Sequence, residues 1–117
     1  MRSLTKRRDF EVVFKEGLTF SSKYLVMYAR PNELGFNRLG LSVSKKVGKA
    51  VTRNRLKRLL RDAMRRLLQE FPLNYDFIIV ARKSSVEGGL NDFIRDIERF
   101  LSRLIYEKNS YIADKAV

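Results

Sequence analysis

Basic side chains concentrate in one short stretch of the chain. Between Ser44 and Arg66, ten Lys and Arg residues accompany a single acid, Asp62. Arginine is suited to phosphate, because its planar guanidinium group makes two parallel hydrogen bonds to phosphate oxygens. A helix that is merely solvated usually mixes both signs of charge to gain stabilising pairs four residues apart. The stretch therefore indicates a polyanionic partner that is bound through its phosphates.

The net charge of +12 comes mainly from this part of the chain. Residues 31–66 carry eleven basic and two acidic side chains, whereas residues 67–117 carry seven basic and eight acidic ones. Counterion release would make binding to a nucleic acid strongly dependent on salt. A membrane surface is a poor alternative, because the apolar residues of the basic segment are needed for the core. We expect a nucleic acid and no membrane partner.

The chain contains neither His nor Cys. This composition excludes Ser-His-Asp triads, thiolate nucleophiles, disulfides and zinc sites built from His or Cys. The sequence also lacks a cluster of Asp and Glu of the kind that holds catalytic metal ions. We therefore predict no catalytic residue, no metal ligand and no cofactor on the polypeptide. Length, the lack of a long apolar run and the lack of a signal peptide predict one cytoplasmic domain over residues 1–117.

Aromatic residues are the second feature that could do chemistry. Phe10 and Phe14 lie four residues apart in a helical pattern, and Tyr28 lies on one face of a predicted strand. If that face adjoins the small face of the next strand, the aromatic rings would line a groove in which bases of a single strand could stack. The simpler alternative is that Phe10 and Phe14 only pack in the core, and Tyr28 is the better candidate. The small face consists of Gly40, Ser42 and Ser44.

Two helices are predicted near the two ends of the chain. Apolar residues at helical spacing predict the first helix over about 6–16, with Thr5 as its N-cap and Gly17 at its end. A second apolar stripe predicts a helix over about 91–107, whose opposite face mixes charges and is typical of structural packing. Residues 108–117 show no periodicity, and we expect them to form a loosely held tail.

The basic stretch contains the strongest helical pattern in the chain. Thr52 can cap this helix, which is predicted to run to about Glu70. Steps of 100° per residue place its apolar side chains on an arc of about 180°, with most of the basic side chains opposite. Arg53 falls within the apolar arc, and we expect it to point back toward the end of the preceding strand.

Alternating and continuous apolar runs predict the strands. Residues 23–30 and 38–45 alternate, whereas 76–82 contains a continuous apolar run that indicates burial on both faces. A further short strand is possible near 18–22, and 83–90 is predicted to be a loop. The order of elements predicts an α+β fold, a two-layer sandwich of helices on a sheet.

A longer motif resembles a known family. The stretch from Arg38 to Arg61 reads RLGLSVSKKVGKAVTRNRLKRLLR and resembles the signature of the bacterial ribonuclease P protein subunit. Upstream, Arg8-Asp9-Phe10 with Phe14 resembles the first helix of that family. The run from Asp76 to Arg82 resembles its last strand. The resemblance extends from about residue 4 to residue 103.

The resemblance implies both a fold and a function. The implied fold has the order α-β-β-β-α-β-α, with a β-α-β crossover that is left-handed, contrary to the usual rule. The implied function is to bind a large catalytic RNA and the 5′ leader of precursor tRNA, and to promote endonucleolytic removal of the leader. In such a particle the RNA subunit and its Mg²⁺ ions carry the hydrolysis. The implied partners are the catalytic RNA and precursor tRNA, with no DNA.

By position, the resemblance also implies two functional surfaces in this chain. The cleft that holds the leader corresponds to Phe10, Phe14, Tyr28, Ser42 and Ser44. The surface that contacts the catalytic RNA corresponds to the basic loop and helix. Its residues are Lys45, Lys46, Lys49, Arg53, Asn54, Arg55, Lys57, Arg58, Arg61 and Arg65.

Two other classes of protein compete with this interpretation. A non-enzymatic RNA-binding protein of the ribosomal type would show the same basic composition, and only the motif from Arg38 to Arg61 speaks against it. A nuclease that needs no RNA subunit would cleave by itself with Mg²⁺, which the lack of clustered carboxylates disfavours.

Overall fold

The computed structural model describes the backbone of residues 1–116 and the side chains of residues 1–108. Within this range the helices and strands confirm the α+β prediction and the order α-β-β-β-α-β-α, preceded by one very short strand. In chain order the elements are β1 (Arg2–Ser3), α1 (Arg7–Glu16), β2 (Leu18–Ser21), β3 (Leu25–Pro31), β4 (Arg38–Ser42), α2 (Ala50–Leu68), β5 (Tyr75–Ala81) and α3 (Leu90–Ala116).

The five strands form one mixed sheet in the order β1-β4-β5-β3-β2. β3 is antiparallel to both of its neighbours, whereas β4 is parallel to β5 and to β1. The continuous apolar run lies at the centre as β5, where Phe77, Ile78 and Ile79 are fully buried, as predicted. α2 connects the parallel neighbours β4 and β5. This connection is the β-α-β unit for which the family resemblance implies a left-handed crossover.

The helices divide unequally between the two faces of the sheet. α2 and α3 cover one face and enclose the larger core, to which α2 contributes Leu56, Leu60, Ala63 and Met64. α1 lies on the other face over a small cluster centred on Leu4, Val13 and Ile78. Because side chains alternate along a strand, one sheet can serve both clusters. The face under α1 is left partly open, since one short helix covers less of it than two long helices would.

Both predicted N-caps are wrong. α2 begins at Ala50, and the residue that precedes it is Lys49, in an extended conformation and without a capping side chain. The amide of Arg53 already donates to the carbonyl oxygen of Lys49 at 2.9 Å, so the helical hydrogen bonds begin before Thr52 can cap them. α1 is likewise preceded by Lys6 and not by Thr5. In both cases the chain enters the helix without a side-chain cap.

Other boundaries also differ from the prediction. β4 ends at Ser42, because the chain then turns and the amide of Val47 donates to the carbonyl of Ser44 at 3.0 Å. Ser44 therefore lies outside the sheet. A 3-10 helix over Lys83–Glu87 occupies the predicted loop. α3 continues beyond the predicted end at residue 107. The loosely held tail was predicted over residues 108–117. From residue 109 onward the side chains lie outside the described residues.

Two short strands complete the sheet. β2 confirms the strand suggested near 18–22. β1 was not predicted, because two residues are too few to show alternation. Long-range hydrogen bonds hold it in place: the amide of Arg2 donates to the carbonyl of Asn37, and the amide of Leu4 to that of Leu39, both at 2.9 Å.

Candidate nucleic-acid interface

The basic residues predicted from the sequence lie on the loop before α2 and on the surface of α2. Lys45, Lys46 and Lys49 are exposed on the loop. On the helix, Asn54, Arg55, Arg58, Arg61 and Arg65 are exposed, whereas Arg53 and Lys57 are partly buried. We call these ten residues the basic surface. Their arrangement follows from amphipathicity, because the apolar side chains of α2 are used in the larger core.

Acidic partners are scarce on the basic surface. Among the residues whose side chains are described, the ion pair within α2 joins Arg66 to Asp62 at 3.0 Å, and no member of the basic surface has a carboxylate within 4.0 Å. Arg58, Arg61 and Arg65 follow one another at spacings of three and four, and with Asp62 they border a hollow of about 300 Å³. Adjacent like charges repel one another. An external anion would relieve that repulsion.

Arg53, which falls within the apolar arc of α2, is partly buried. Its Nε atom is shielded from solvent and has no hydrogen-bond partner among the described residues. A buried donor without a partner is costly, so this nitrogen is available for an acceptor that reaches it.

The three aromatic residues of the predicted cleft do come together. Phe14 of α1 and Tyr28 of β3 meet edge to face with ring centroids 4.8 Å apart, and Phe10 lies 6.3 Å from Phe14. Phe14 keeps 42% of its surface exposed. Phe10 instead packs against the small cluster of Leu4, Val13 and Ile78. The two rings thus differ in exposure: Phe10 is partly buried, and Phe14 presents more of its ring to solvent.

The small face of β4 does not adjoin β3 as the sequence had suggested. β5 lies between them, so that Ile78 separates Gly40 from Tyr28 in one row of register partners. Ser44 lies beyond the end of β4 and does not belong to this face. Order among strands depends on long-range pairing, which alternation within one strand cannot reveal.

A neighbouring row extends the open face of the sheet. Register pairs align Ser42, Val80, Val26 and Ser21 across β4, β5, β3 and β2. Val26 and Val80 are only partly buried and were not singled out from the sequence. Alternation in β3 places Val26 on the same face as Tyr28, and this pattern could have predicted that Val26 belongs to the open face. Val80 belongs to the continuous apolar run of β5, which predicts burial, so the sequence did not indicate its partial exposure.

Part of the basic surface and one of the three aromatic residues, Phe10, border one hollow beside α1. Lys57 and Arg61 of α2 border the same hollow of about 190 Å³ as Phe10 and Gly40. A single extended polyanion could therefore contact both features.

An ion pair lies at the edge of the open face, where β4 and β5 begin. Arg38 donates from Nε and Nη2 to the two carboxylate oxygens of Asp76, at 2.8 and 2.7 Å, and Asn32 donates a third hydrogen bond at 2.8 Å. Burial pushes the pKa of Asp76 upward, but these hydrogen bonds and the charges of Arg38 and Arg30 outweigh it, so the pKa lies below its ordinary value. The hydrogen bond to Asp76 likewise raises the pKa of Arg38.

Two further observations concern the part of the chain that the structure describes. Its residues include no group of three or more His, Cys, Asp or Glu side chains arranged to hold a metal ion. None of the helices there has the length and apolar character needed to cross a membrane.

Comparisons with known proteins agree with the fold and the sequence motif. The family model described as Ribonuclease P matches residues 1–105. The Ribonuclease P protein component of Clostridioides difficile is 42% identical over 103 residues, covering 87% of this chain and 90% of that protein. The corresponding protein of Caldanaerobacter subterraneus is 39% identical over 109 residues, with coverage of 92% and 94%.

Solved structures give the same result. The RNase P protein from Thermotoga maritima superposes with a TM-score of 0.78 at 34% identity, covering 88% of this chain and 97% of that one. The RNase P protein of Staphylococcus aureus also reaches a TM-score of 0.78, at 30% identity, with coverage of 89% and 95%.

Proposed function

The chain belongs to the ribonuclease P protein family, and on that premise we propose that it binds the catalytic RNA of ribonuclease P and the 5′ leader of precursor tRNA. In this role it promotes endonucleolytic removal of the leader, which leaves the mature 5′ end of the tRNA. Its action in the cytoplasm stays a prediction.

The unpaired basic surface carries the proposal. Arg58, Arg61 and Arg65 form an exposed line with no carboxylate within 4.0 Å among the described residues. Arginine at such spacing suits a phosphate backbone, because each guanidinium group can make paired hydrogen bonds to one phosphate. This surface supports contact with a large structured RNA, which needs many phosphate contacts and no reading of individual bases.

The open face of the sheet supports the second contact, with the leader. Phe14 and Tyr28 offer aromatic surfaces on which unpaired bases stack, and stacking tolerates any base. Ser42 and Ser21 place hydroxyl groups at the two ends of the neighbouring row. A double helix would not fit such a face as well, because its bases are already stacked on each other. A single strand such as a leader is therefore the better occupant.

We assign the hydrolytic step to the RNA subunit and its Mg²⁺ ions. The polypeptide contains no His, the most frequent general base at neutral pH, and no Cys, whose thiolate is a common nucleophile. The protein would contribute binding energy and position, with no catalytic residue of its own. An RNA-binding protein of the ribosomal type is the less favoured alternative, since the family match covers nearly the whole chain.

Reconstitution tests the proposal. The protein is added to the RNA subunit of ribonuclease P at low Mg²⁺, with precursor tRNA as the substrate, and the 5′ leader fragment is measured. We expect the protein to restore cleavage, and we expect the protein alone with Mg²⁺ to release no leader. A ribosomal-type protein would bind the RNA without stimulating cleavage. A lack of stimulation at every protein concentration would contradict the proposal.

A further inference from the structure

A row of alternating charges crosses the sheet beneath α1. Arg38, Asp76 and Arg30 are register partners on β4, β5 and β3. α1 adds one acid at each end of the row: Asp9 lies 3.3 Å from Arg38, and Glu16 lies 2.9 Å from Arg30. We call these five residues the charge ladder. It joins both ends of α1 to the sheet.

The spacing of the acids on the helix matches the spacing of the arginines on the sheet. Asp9 and Glu16 are seven positions apart, which places them on one face of α1 and about 10 Å apart along its axis. Arg38 and Arg30 are separated by two strand spacings, which is also about 10 Å. Val13 lies between the two acids on the same face and is buried. Both acids therefore meet their partners when α1 lies across the three strands in one register.

Apolar packing contributes to that register, since Phe10 is seated on Gly40, but the fully buried apolar cluster beneath α1 is small. The fully buried cluster beneath α1 consists of Leu4, Val13 and Ile78, whereas the opposite face of the sheet encloses a far larger core. A helix of ten residues is marginal without tertiary contacts. Apolar contact is also non-directional, so it opposes separation of the helix more than sliding. Charge-assisted hydrogen bonds are directional, so they restrict sliding of α1, which the small apolar cluster does less well.

Arg38 is the fixed point of the charge ladder. Two of its nitrogens bind Asp76, which is only 3% exposed, and the third nitrogen, Nη1, is thereby directed at Asp9. The opposite end, Arg30 with Glu16, is more exposed, and an exposed pair contributes less. The position of α1 thus depends more on Asp9 than on Glu16.

We propose that the charge ladder is a positioning device, in which Arg38 holds α1 through Asp9 so that Phe14 keeps its edge contact with Tyr28. Phe14 is two residues from Glu16, and Tyr28 is two residues from Arg30 on the same face of β3, about 7 Å along the strand. A slide of α1 would therefore displace one ring from the other. The link to the leader rests on the proposed function.

The test replaces Asp9 by Asn, which removes the charge and keeps the shape. Glu11→Gln is the matched control, because Glu11 lies on the same helix and pairs with Arg7 in full solvent, where their side chains are 66% and 93% exposed. Two measurements are made on each variant. The first is the nuclear Overhauser effect between the rings of Phe14 and Tyr28 in the free protein. The second is the ratio of affinities for precursor and mature tRNA in the reconstituted holoenzyme.

We expect Asp9→Asn to weaken the nuclear Overhauser effect between the rings of Phe14 and Tyr28. We also expect it to lower the ratio of affinities for precursor and mature tRNA about fivefold, with unchanged affinity for the RNA subunit. Glu11→Gln should change neither, and Glu16→Gln should have a smaller effect than Asp9→Asn. If the ring contact weakens while the ratio stays the same, the positioning inference stands and the leader cleft is wrong. If Asp9→Asn leaves the ring contact as strong as Glu11→Gln does, the inference is overturned.

Discussion

Phe10 of α1 lies directly on Gly40 of β4. A Cβ atom built on Gly40 would come within 2.9 Å of Cε1 of the Phe10 ring, which is closer than side chains tolerate. Phe10 therefore leaves no room for a side chain at position 40 of β4. This contact sets how closely the first helix approaches the sheet, and so it also sets the level of Phe14 above Tyr28.

Gly40→Ala should destabilise the protein, because the added methyl group forces Phe10 and α1 away from the sheet. We expect a loss of about 1–3 kcal/mol in the free energy of unfolding, measured by urea denaturation. Gly89→Ala is the control, since the nearest atom to its added Cβ would be 4.0 Å away. Equal stability of the two variants would contradict the close packing of Phe10 on Gly40.

Tyr28→Ala should weaken binding of precursor tRNA by about 1–3 kcal/mol and leave binding of mature tRNA unchanged, because mature tRNA has no leader to stack on the ring. The measurement is the affinity of the reconstituted holoenzyme for each RNA. Tyr106→Ala is the control, since Tyr106 is 71% exposed on α3, which packs against the opposite face of the sheet. An equal loss for both RNAs would speak against a leader cleft.

Arg58→Ala should lower the affinity for the catalytic RNA and reduce the slope of log affinity against log salt concentration by about one, as expected for one lost phosphate contact. Filter binding over a series of salt concentrations measures this slope. Arg99→Ala serves as the control, because Arg99 lies on α3 and already pairs with Asp96 at 3.4 Å. A slope unchanged by Arg58→Ala would mean that this arginine faces solvent in the complex.

Asp76→Asn should destabilise the protein at neutral pH by roughly 3 kcal/mol, because it breaks a buried ion pair and leaves Arg38 with weaker partners. Since the folded state lowers the pKa of Asp76, its contribution to stability is complete above the ordinary aspartate pKa of about 3.9. That contribution is lost as the pH falls through the lower pKa of the folded state.

Urea denaturation at several pH values measures both effects of Asp76→Asn. The difference in stability between the wild type and the variant should shrink as the solution is acidified. Asp62→Asn is the control, since Asp62 belongs to the more exposed pair with Arg66, and its loss should cost less than about 1 kcal/mol. A difference that is constant with pH would contradict the lowered pKa of Asp76.

Much of the candidate site could be predicted from local pattern. The amphipathic arc of α2 separates Leu56 and Leu60, which are buried, from Arg58 and Arg61, which are exposed. This separation depends on residues within two turns of each other, so helical geometry alone predicts it. The helix caps were predicted wrongly at Thr5 and Thr52, because any of several neighbouring residues can begin a helix.

The sequence by itself determined most of the helices and strands, though not β1 or the 3-10 helix over Lys83–Glu87, and it determined where the positive charge lies, because both follow from spacing along the chain. The tertiary structure alone decided that β5 lies between β3 and β4, and that Phe14 meets Tyr28. It also decided that Arg38 faces both Asp9 and Asp76. Strand order and register bring together residues that are distant in the chain. Such pairings leave no periodic trace in the sequence, because each strand shows its own alternation whichever strand it pairs with.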